Sequence, residues 1–262
     1  MKSGIRVSGL LIAVLLASSA SAAPIYWTDW TGSDLDPGVG FQGAGTITTP
    51  TSTVSVTYTN PQGIGFYQTA GGNYYYSGGT DGPDGTSPYT SSVVDNRPAT
   101  TDIIALQYAG TQTLSFSEAI ANPVFAYVSL NGNGYAFDQD FNILSVGGAD
   151  GNACGYWGCG TSFKEIVTVN GVTEYRLLGT GEPHGVLQFT GTFATVSWRS
   201  LSNEYWNGFT LGVQGTAVEY CEANPNAPEC NSNPPVSVPE PSTLALLGMG
   251  MMGLALGRRR RS

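Results

Sequence analysis

Positive charge is scarce in this chain of 262 residues: ten Lys and Arg stand against nineteen Asp and Glu, with a single histidine. Between residues 23 and 241 the only basic residues are Arg97, Lys164, Arg176 and Arg199, while all nineteen acidic residues lie there, leaving that span at −15. Nucleic-acid binding is excluded on this ground, because phosphate contacts need Lys and Arg. So is strong attraction to anionic lipid, since such a body repels like charge. One histidine rules out a multi-histidine metal centre. Only four cysteines are present, at 154, 159, 221 and 230. Their C-x4-C and C-x8-C spacings, with no nearby histidine, are wrong for a zinc knuckle. Apolar residues at 3.6 spacing are missing from the body, so little helix is expected there.

What is present is glycine, serine, threonine and tyrosine, with 36 Gly and 14 Tyr. Short runs alternate apolar and polar residues, as half-buried strands do. The clearest are Thr53–Thr59, Ile103–Tyr108, Thr113–Ser117, Val124–Leu130 and Phe141–Val146. Phe163–Val169, Thr173–Leu178, Val186–Thr190, Phe193–Arg199 and Gly208–Gln214 follow the same pattern. Asn170-Gly171 between two such runs predicts a tight hairpin, and Asn131-Gly132 and Gly191-Thr192 mark further turns. This spacing predicts an all-β fold, a single jelly-roll-like β-sandwich over residues 23–221. Two long stretches, Tyr67 to Arg97 and Ala149 to Thr161, are not strand-like. Residues 222–238, rich in Pro and Asn, read as an extended spacer.

The two ends have a different character. Lys2 and Arg6, the apolar stretch Leu10 to Ala17, and Ala20 and Ala22 of an A-x-A site form a secretory signal over residues 1–22. Its partner is the Sec machinery. At the other end come Pro239-Glu240-Pro241-Ser242, an uncharged run from Thr243 to Gly257, and Arg258, Arg259, Arg260 and Arg261. As a helix the run makes roughly 22 Å, short of the ~30 Å hydrocarbon core. The four arginines read as a stop on the cytoplasmic side of the inner membrane. A short transmembrane helix over 243–257 suits a transient hold better than a lasting anchor.

Residues 239–262 resemble the PEP-CTERM sorting signal of Gram-negative bacteria, a segment also catalogued as "ice-binding protein C-terminal domain". The resemblance implies recognition by an exosortase and processing near Pro239-Glu240-Pro241. It implies a final place at the cell surface or in a polysaccharide-rich extracellular matrix. The stretch Pro123–Leu130, the run from Val186 to Trp198 and the run from Glu204 to Val213 are similar, more loosely, to the bodies of exported proteins with such tails. That likeness supports the sandwich and carries no activity.

In an exported chain an even cysteine count implies disulfides. Local pairing, Cys154 with Cys159 and Cys221 with Cys230, is expected from proximity in sequence, although three connectivities are open. Candidate chemistry is sparse. His184 lies in Gly181-Glu182-Pro183-His184-Gly185 without a G-x-S-x-G elbow to serve. Asp138 and Asp140 are i, i+2 and would share a face in extended chain. They suit a weak Ca²⁺ site with Asn131 and Asn133, a catalytic pair, or a solvated strand entry. Glu182 with Glu204 is a second carboxylate pair, and Asp81 with Asp84 a glycine-flanked loop suited to Ca²⁺. No other cofactor is called for. Aromatic residues outside the alternating runs, Tyr74, Tyr75, Tyr76, Tyr156 and Trp157, are expected to be exposed and to bind ligand, whereas Trp198 and Trp206 are expected in the core. The expected function is a non-enzymatic, exosortase-sorted surface or matrix protein associated with exopolysaccharide. A carbohydrate- or calcium-binding module is the alternative, and a polysaccharide hydrolase the third reading.

Overall fold

The computed structural model describes residues 22–34, 40–72, 74–76, 86–98 and 102–231. The signal segment, the Asp81/Asp84 loop, the sorting motif at 239–241, the apolar run and the terminal arginines lie outside the described residues. Two antiparallel sheets face each other. One has seven strands: β10 (Phe141–Val146), β13 (Gly185–Phe189), β8 (Val124–Val128), β15 (Asn207–Val213), β6 (Ile103–Leu106) and β5 (Phe66–Gln68), with β1 (Tyr26–Trp27) also paired to β15. The other has nine. Its order is β11 (Gly160–Val169), β12 (Val172–Gly181), β9 (Gly134–Phe137), β14 (Thr192–Ser200), β7 (Gly110–Ala121), β4 (Thr53–Asn60), β3 (Phe41–Thr48) and β2 (Asp29–Asp34), with β16 (Gly215–Thr216) on β7. The expected all-β sandwich is present.

All ten expected strands exist, with ends shifted by a few residues. From β7 to β15 the chain changes sheet at every step except β11 to β12. Asn131-Gly132 and Gly191 therefore sit in crossovers between the sheets. Asn170-Gly171 does close a two-residue hairpin, with Val169 paired to Val172 and both turn residues at positive φ, 51° and 80°. Strand β3 escaped detection because glycines at 43 and 45 break its pattern. A Cβ on Gly45 would stand 2.8 Å from the Trp30 ring and from the Asp29 carbonyl, so only glycine lets β2 lie this close.

Aromatic rings fill the space between the sheets. Phe125 stacks on Phe209 at 5.1 Å, and Trp198 meets Phe209 edge-on at 4.9 Å. Each such ring contributes about 1.5–3 kcal/mol by leaving water. Trp198 is in the core as expected. The other face of β8 is buried as well: Val124, Ala126 and Val128, with Ile103 and Val186, lie beneath Tyr75, Tyr89 and Val94. Much of the long stretch before Ile103 is thus a packed cover over the seven-stranded sheet. That double burial explains why β8 is apolar at every position.

Over residues 222–231 the chain departs from the expected extended spacer, whose remainder lies outside the described residues. Helix α1 (Ala217–Ala223) runs through the expected domain boundary, and helix α2 (Pro228–Asn231) follows. Thr216 and Glu219 form a capping box: the Thr216 hydroxyl accepts from the Glu219 N–H, and the Glu219 carboxylate accepts from the Thr216 N–H. Asn122 Nδ2 and the Tyr220 hydroxyl donate to Glu229 at 3.0 and 2.6 Å. Cys221 is bonded to Cys230. The capping box starts α1, the disulfide ties α1 to α2, and the Asn122–Glu229 bond holds the segment against the sandwich as far as residue 231. Among the described residues no helix is long and apolar enough to cross a membrane.

Candidate aromatic binding site

Three separate segments bring rings together at one place. Phe66 and Tyr74 come from β5 and the turn after it, Tyr156 and Trp157 from the loop before β11, and Trp206 from the residues entering β15. Tyr74 stacks on Trp157 with centroids 5.1 Å apart and planes 15° from parallel. Trp206 stands edge-on to Trp157 at 4.9 Å, to Tyr74 at 5.7 Å and to Phe66 at 5.0 Å. Tyr156 packs on Trp157 at 4.3 Å. Trp157 keeps 39 % of its surface in solvent, and Tyr74, Tyr156 and Trp206 are half-buried. Next to this platform a cleft of about 290 Å³ is lined by Gly65, Phe66, Gln107, Tyr205 and Trp206. Tyr205 is 86 % exposed.

Local chemistry holds each segment in place. Cys154 is bonded to Cys159, closing the loop that carries Tyr156 and Trp157. The loop lies on His184, whose ring is parallel to Trp157 within 5°. The Glu204 N–H donates to the Gln107 carbonyl at 3.0 Å, which pins the turn bearing Tyr205 and Trp206 to the end of β6. Burial pushes the His184 imidazole down to about 3, so it is neutral at physiological pH.

Of the expected ligand residues, Tyr74, Tyr156 and Trp157 converge here. Tyr75 does not: it is fully buried, edge-on to Tyr89 at 5.1 Å, and its hydroxyl donates to the Asp102 carbonyl at 3.1 Å. Consecutive residues in this turn point different ways, so the Tyr triplet could not all be exposed. Tyr76 lies under the Arg97 guanidinium, 4.6 Å from the ring centroid. Trp206, expected in the core, is instead a half-buried wall of the platform. Its place in an aromatic doublet between polar Asn203-Glu204 and Asn207-Gly208 was the available signal. Gln107 and Phe66 carried none.

Asp138 and Asp140 sit in the exposed turn between β9 and β10, so the extended geometry that put them on one face is absent. Lys164 Nζ donates to Asp140 at 2.8 Å. Asn131 donates to Glu182 at 2.7 Å, and Asn133 Oδ1 accepts from Ser202. The expected calcium partners are thus bound elsewhere. Among the described residues no group of three or more His, Cys, Asp or Glu is placed to hold a metal. Asp138 lines a second groove with Trp198, Glu174 and Arg199. There Arg199 bonds Glu174 at 2.7 Å, and Arg176 beside the groove bonds it at 2.8 Å, so its arginine and glutamate satisfy each other.

Glu182 and Glu204 are brought within electrostatic reach of each other. Glu182 accepts from Ser129 and Asn131, and its own N–H donates to the Cys159 carbonyl. Asn207 Nδ2 donates to Glu204 at 2.7 Å, and the Tyr135 hydroxyl donates to Asn207. Burial pushes Glu204 up to about 7; the Asn207 hydrogen bond opposes this and the Glu182 charge adds to it.

A family model described as the PEP-CTERM protein-sorting motif matches residues 237–261. No curated protein and no solved structure matches the chain. The aromatic site thus belongs to a body that ends in an address: the chain carries a PEP-CTERM protein-sorting motif, the mark of an exported protein processed by an exosortase at a membrane.

Proposed function

We propose that this is a non-catalytic surface or matrix protein of a Gram-negative cell, whose body attaches to extracellular polysaccharide through the aromatic platform. The observation that carries this reading is the convergence of Tyr74, Trp157 and Trp206 from three segments, with half-exposed rings beside an open cleft. Rings that only fill a core are buried on all sides. Rings left partly in water beside polar groups suit flat ligands with apolar faces and hydroxyl edges, as sugars have. A non-catalytic role is supported by His184, whose imidazole is buried, neutral and bonded to the Tyr89 hydroxyl. The exosortase motif supports delivery to the envelope, where such polymers lie.

Affinity electrophoresis of the full chain in detergent, in gels containing extracellular polysaccharide, tests the reading. Retardation is expected, and Trp157→Ala should weaken it about ten-fold, since one lost stacking contact is worth ~1–1.5 kcal/mol. No retardation by any polymer, with and without Ca²⁺, would sink the proposal.

A further inference from the structure

We infer that two copies of this chain pair along β11, joining their nine-stranded sheets edge to edge about a two-fold axis at Ile166. Strand β11 ends that sheet, and among the described residues no strand lies beyond it. Asn170 and Gly171, both at positive φ, form a tight turn whose hydrogen bond closes Val169 onto Val172. Bonding alternates along an antiparallel pair, so the odd-numbered residues of β11 bond to β12. Residues 162, 164, 166 and 168 then turn their N–H and C=O groups outward.

Such an edge is normally blunted by shortness, a bulge or a charge. The other three sheet ends are. Strand β5 has only three residues, and β10 is bulged between Ile143 and Ser145. Strand β2 is bulged between Trp30 and Gly32, and the Tyr67 hydroxyl donates to its Gly32 carbonyl at 2.8 Å. Strand β11 has none of these devices. Its ten residues pair with β12 without a register shift and include no proline. Its one lysine, Lys164, is drawn away to Asp140 and the Phe141 carbonyl, each at 2.8 Å. Ile166 is 59 % exposed, and Phe163, Val169 and the neighbouring Val172 are exposed as well.

Charge and register both favour a second copy as the occupant. Two bodies of charge −15 repel, except where charge is locally balanced. The β11–β12 hairpin is such a place: Lys164, Glu165, Glu174 and Arg176 sum to zero, and Arg176 lies 3.7 Å from Glu165. In an antiparallel self-pair about Ile166, Ile166 meets its own copy and Phe163 meets the second copy's Val169. Lys164 falls opposite Thr168, and Glu165 opposite Val167, so no like charges face each other directly. An axis one residue earlier sets Glu165 against Glu165, which is unfavourable.

Sedimentation velocity of the full chain in density-matched detergent reads the assembly, and a dimer is expected. Ile166→Lys, checked for an unchanged melting transition, should weaken it at least about ten-fold by setting two lysines face to face. Register is read by oxidative cross-linking, with all four native cysteines already in disulfides. Ile166→Cys places two thiols on the axis, with Cα atoms ~5.5 Å apart, and should form a cross-linked dimer. Thr168→Cys lies roughly 14 Å from its own copy and should not. A monomer overturns the inference, whether the edge is bare or covered by the chain's own residues beyond 231. So does a dimer that survives Ile166→Lys, which would place the contact elsewhere, or equal cross-linking by the two cysteine variants.

Discussion

The Tyr89 hydroxyl lies 2.9 Å from Nδ1 of His184 and 3.3 Å from the carbonyl of Tyr74, linking the buried imidazole to the aromatic platform. Both bonds are satisfied when Nδ1–H donates to Tyr89 and Tyr89 donates to Tyr74. The bare Nε2 lone pair, which has no partner, is then an acceptor and not a stranded donor. His184 thereby supports Tyr74 from below and Trp157 from the side.

The chain's single imidazole makes this checkable without assignment. In ¹⁵N-resolved NMR it should show the Nδ1–H tautomer and no titration between pH 8 and 4, because burial holds its pKa near about 3. A titration midpoint close to 6.5 would mean an exposed ring and a different loop.

Gly155 lets the disulfide loop rest on that ring. A Cβ at this position would stand 2.0 Å from His184 Cγ. Gly155→Ala should cost about 1–3 kcal/mol by overpacking and should displace Trp157. A lowered melting temperature together with a changed Trp fluorescence spectrum is the expected pair of readouts.

Two titrating groups bend the stability profile in opposite senses. Glu204 is raised in the folded state to about 7 from an ordinary 4.5, so its contribution is full below 4.5 and lost as pH rises through 7. His184 is lowered to about 3 from 6.5, so its contribution is full above 6.5 and lost as pH falls toward 3. Glu204→Gln should therefore move the pH of maximum melting temperature upward. An unshifted maximum would show that Glu204 is solvated.

Removing the second disulfide should loosen the end of the body and leave the sandwich intact. Cys221→Ser with Cys230→Ser lifts a constraint worth about 2–3 kcal/mol in the loop-entropy account. Faster amide exchange confined to 217–231 is expected, with the β8 and β15 amides unchanged.

The sorting motif makes its own prediction in cells. Pro239→Ala combined with Glu240→Ala should block processing, so that the protein stays with the inner membrane at a higher mass. Fractionation and mass spectrometry read both; unchanged location and mass would reduce the tail to a simple anchor.

Strands whose apolar residues alternate cleanly were legible in advance, β4 and β10 among them, as was the Asn170-Gly171 hairpin. Their signals are local. Strand β3 was not legible, because Gly45 answers to the Trp30 ring on the neighbouring strand and Gly43 to the Phe41 and Tyr67 rings. The capping box of Thr216 and Glu219 was written in the sequence, but its helix is too short to show periodicity. Of the site, the Tyr156-Trp157 loop was recognisable from its flanking cysteines. Tyr75 and Trp206 were exchanged between core and surface, since an aromatic residue in a turn looks the same whichever way it points.

By itself the sequence determined the strand content, the acidic body, the cysteine staples and the C-terminal address. Each of these depends on residues close together in the chain or on simple sums of charge. Only the tertiary structure decided which rings meet, because Phe66, Tyr74, Trp157 and Trp206 are spread over 140 positions and converge through the pairing of β5, β6 and β15. It also decided that Glu182 and Glu204 come within electrostatic reach of each other. Contacts of that range are set by how the strands are ordered in the two sheets, and local residue patterns carry no record of that order.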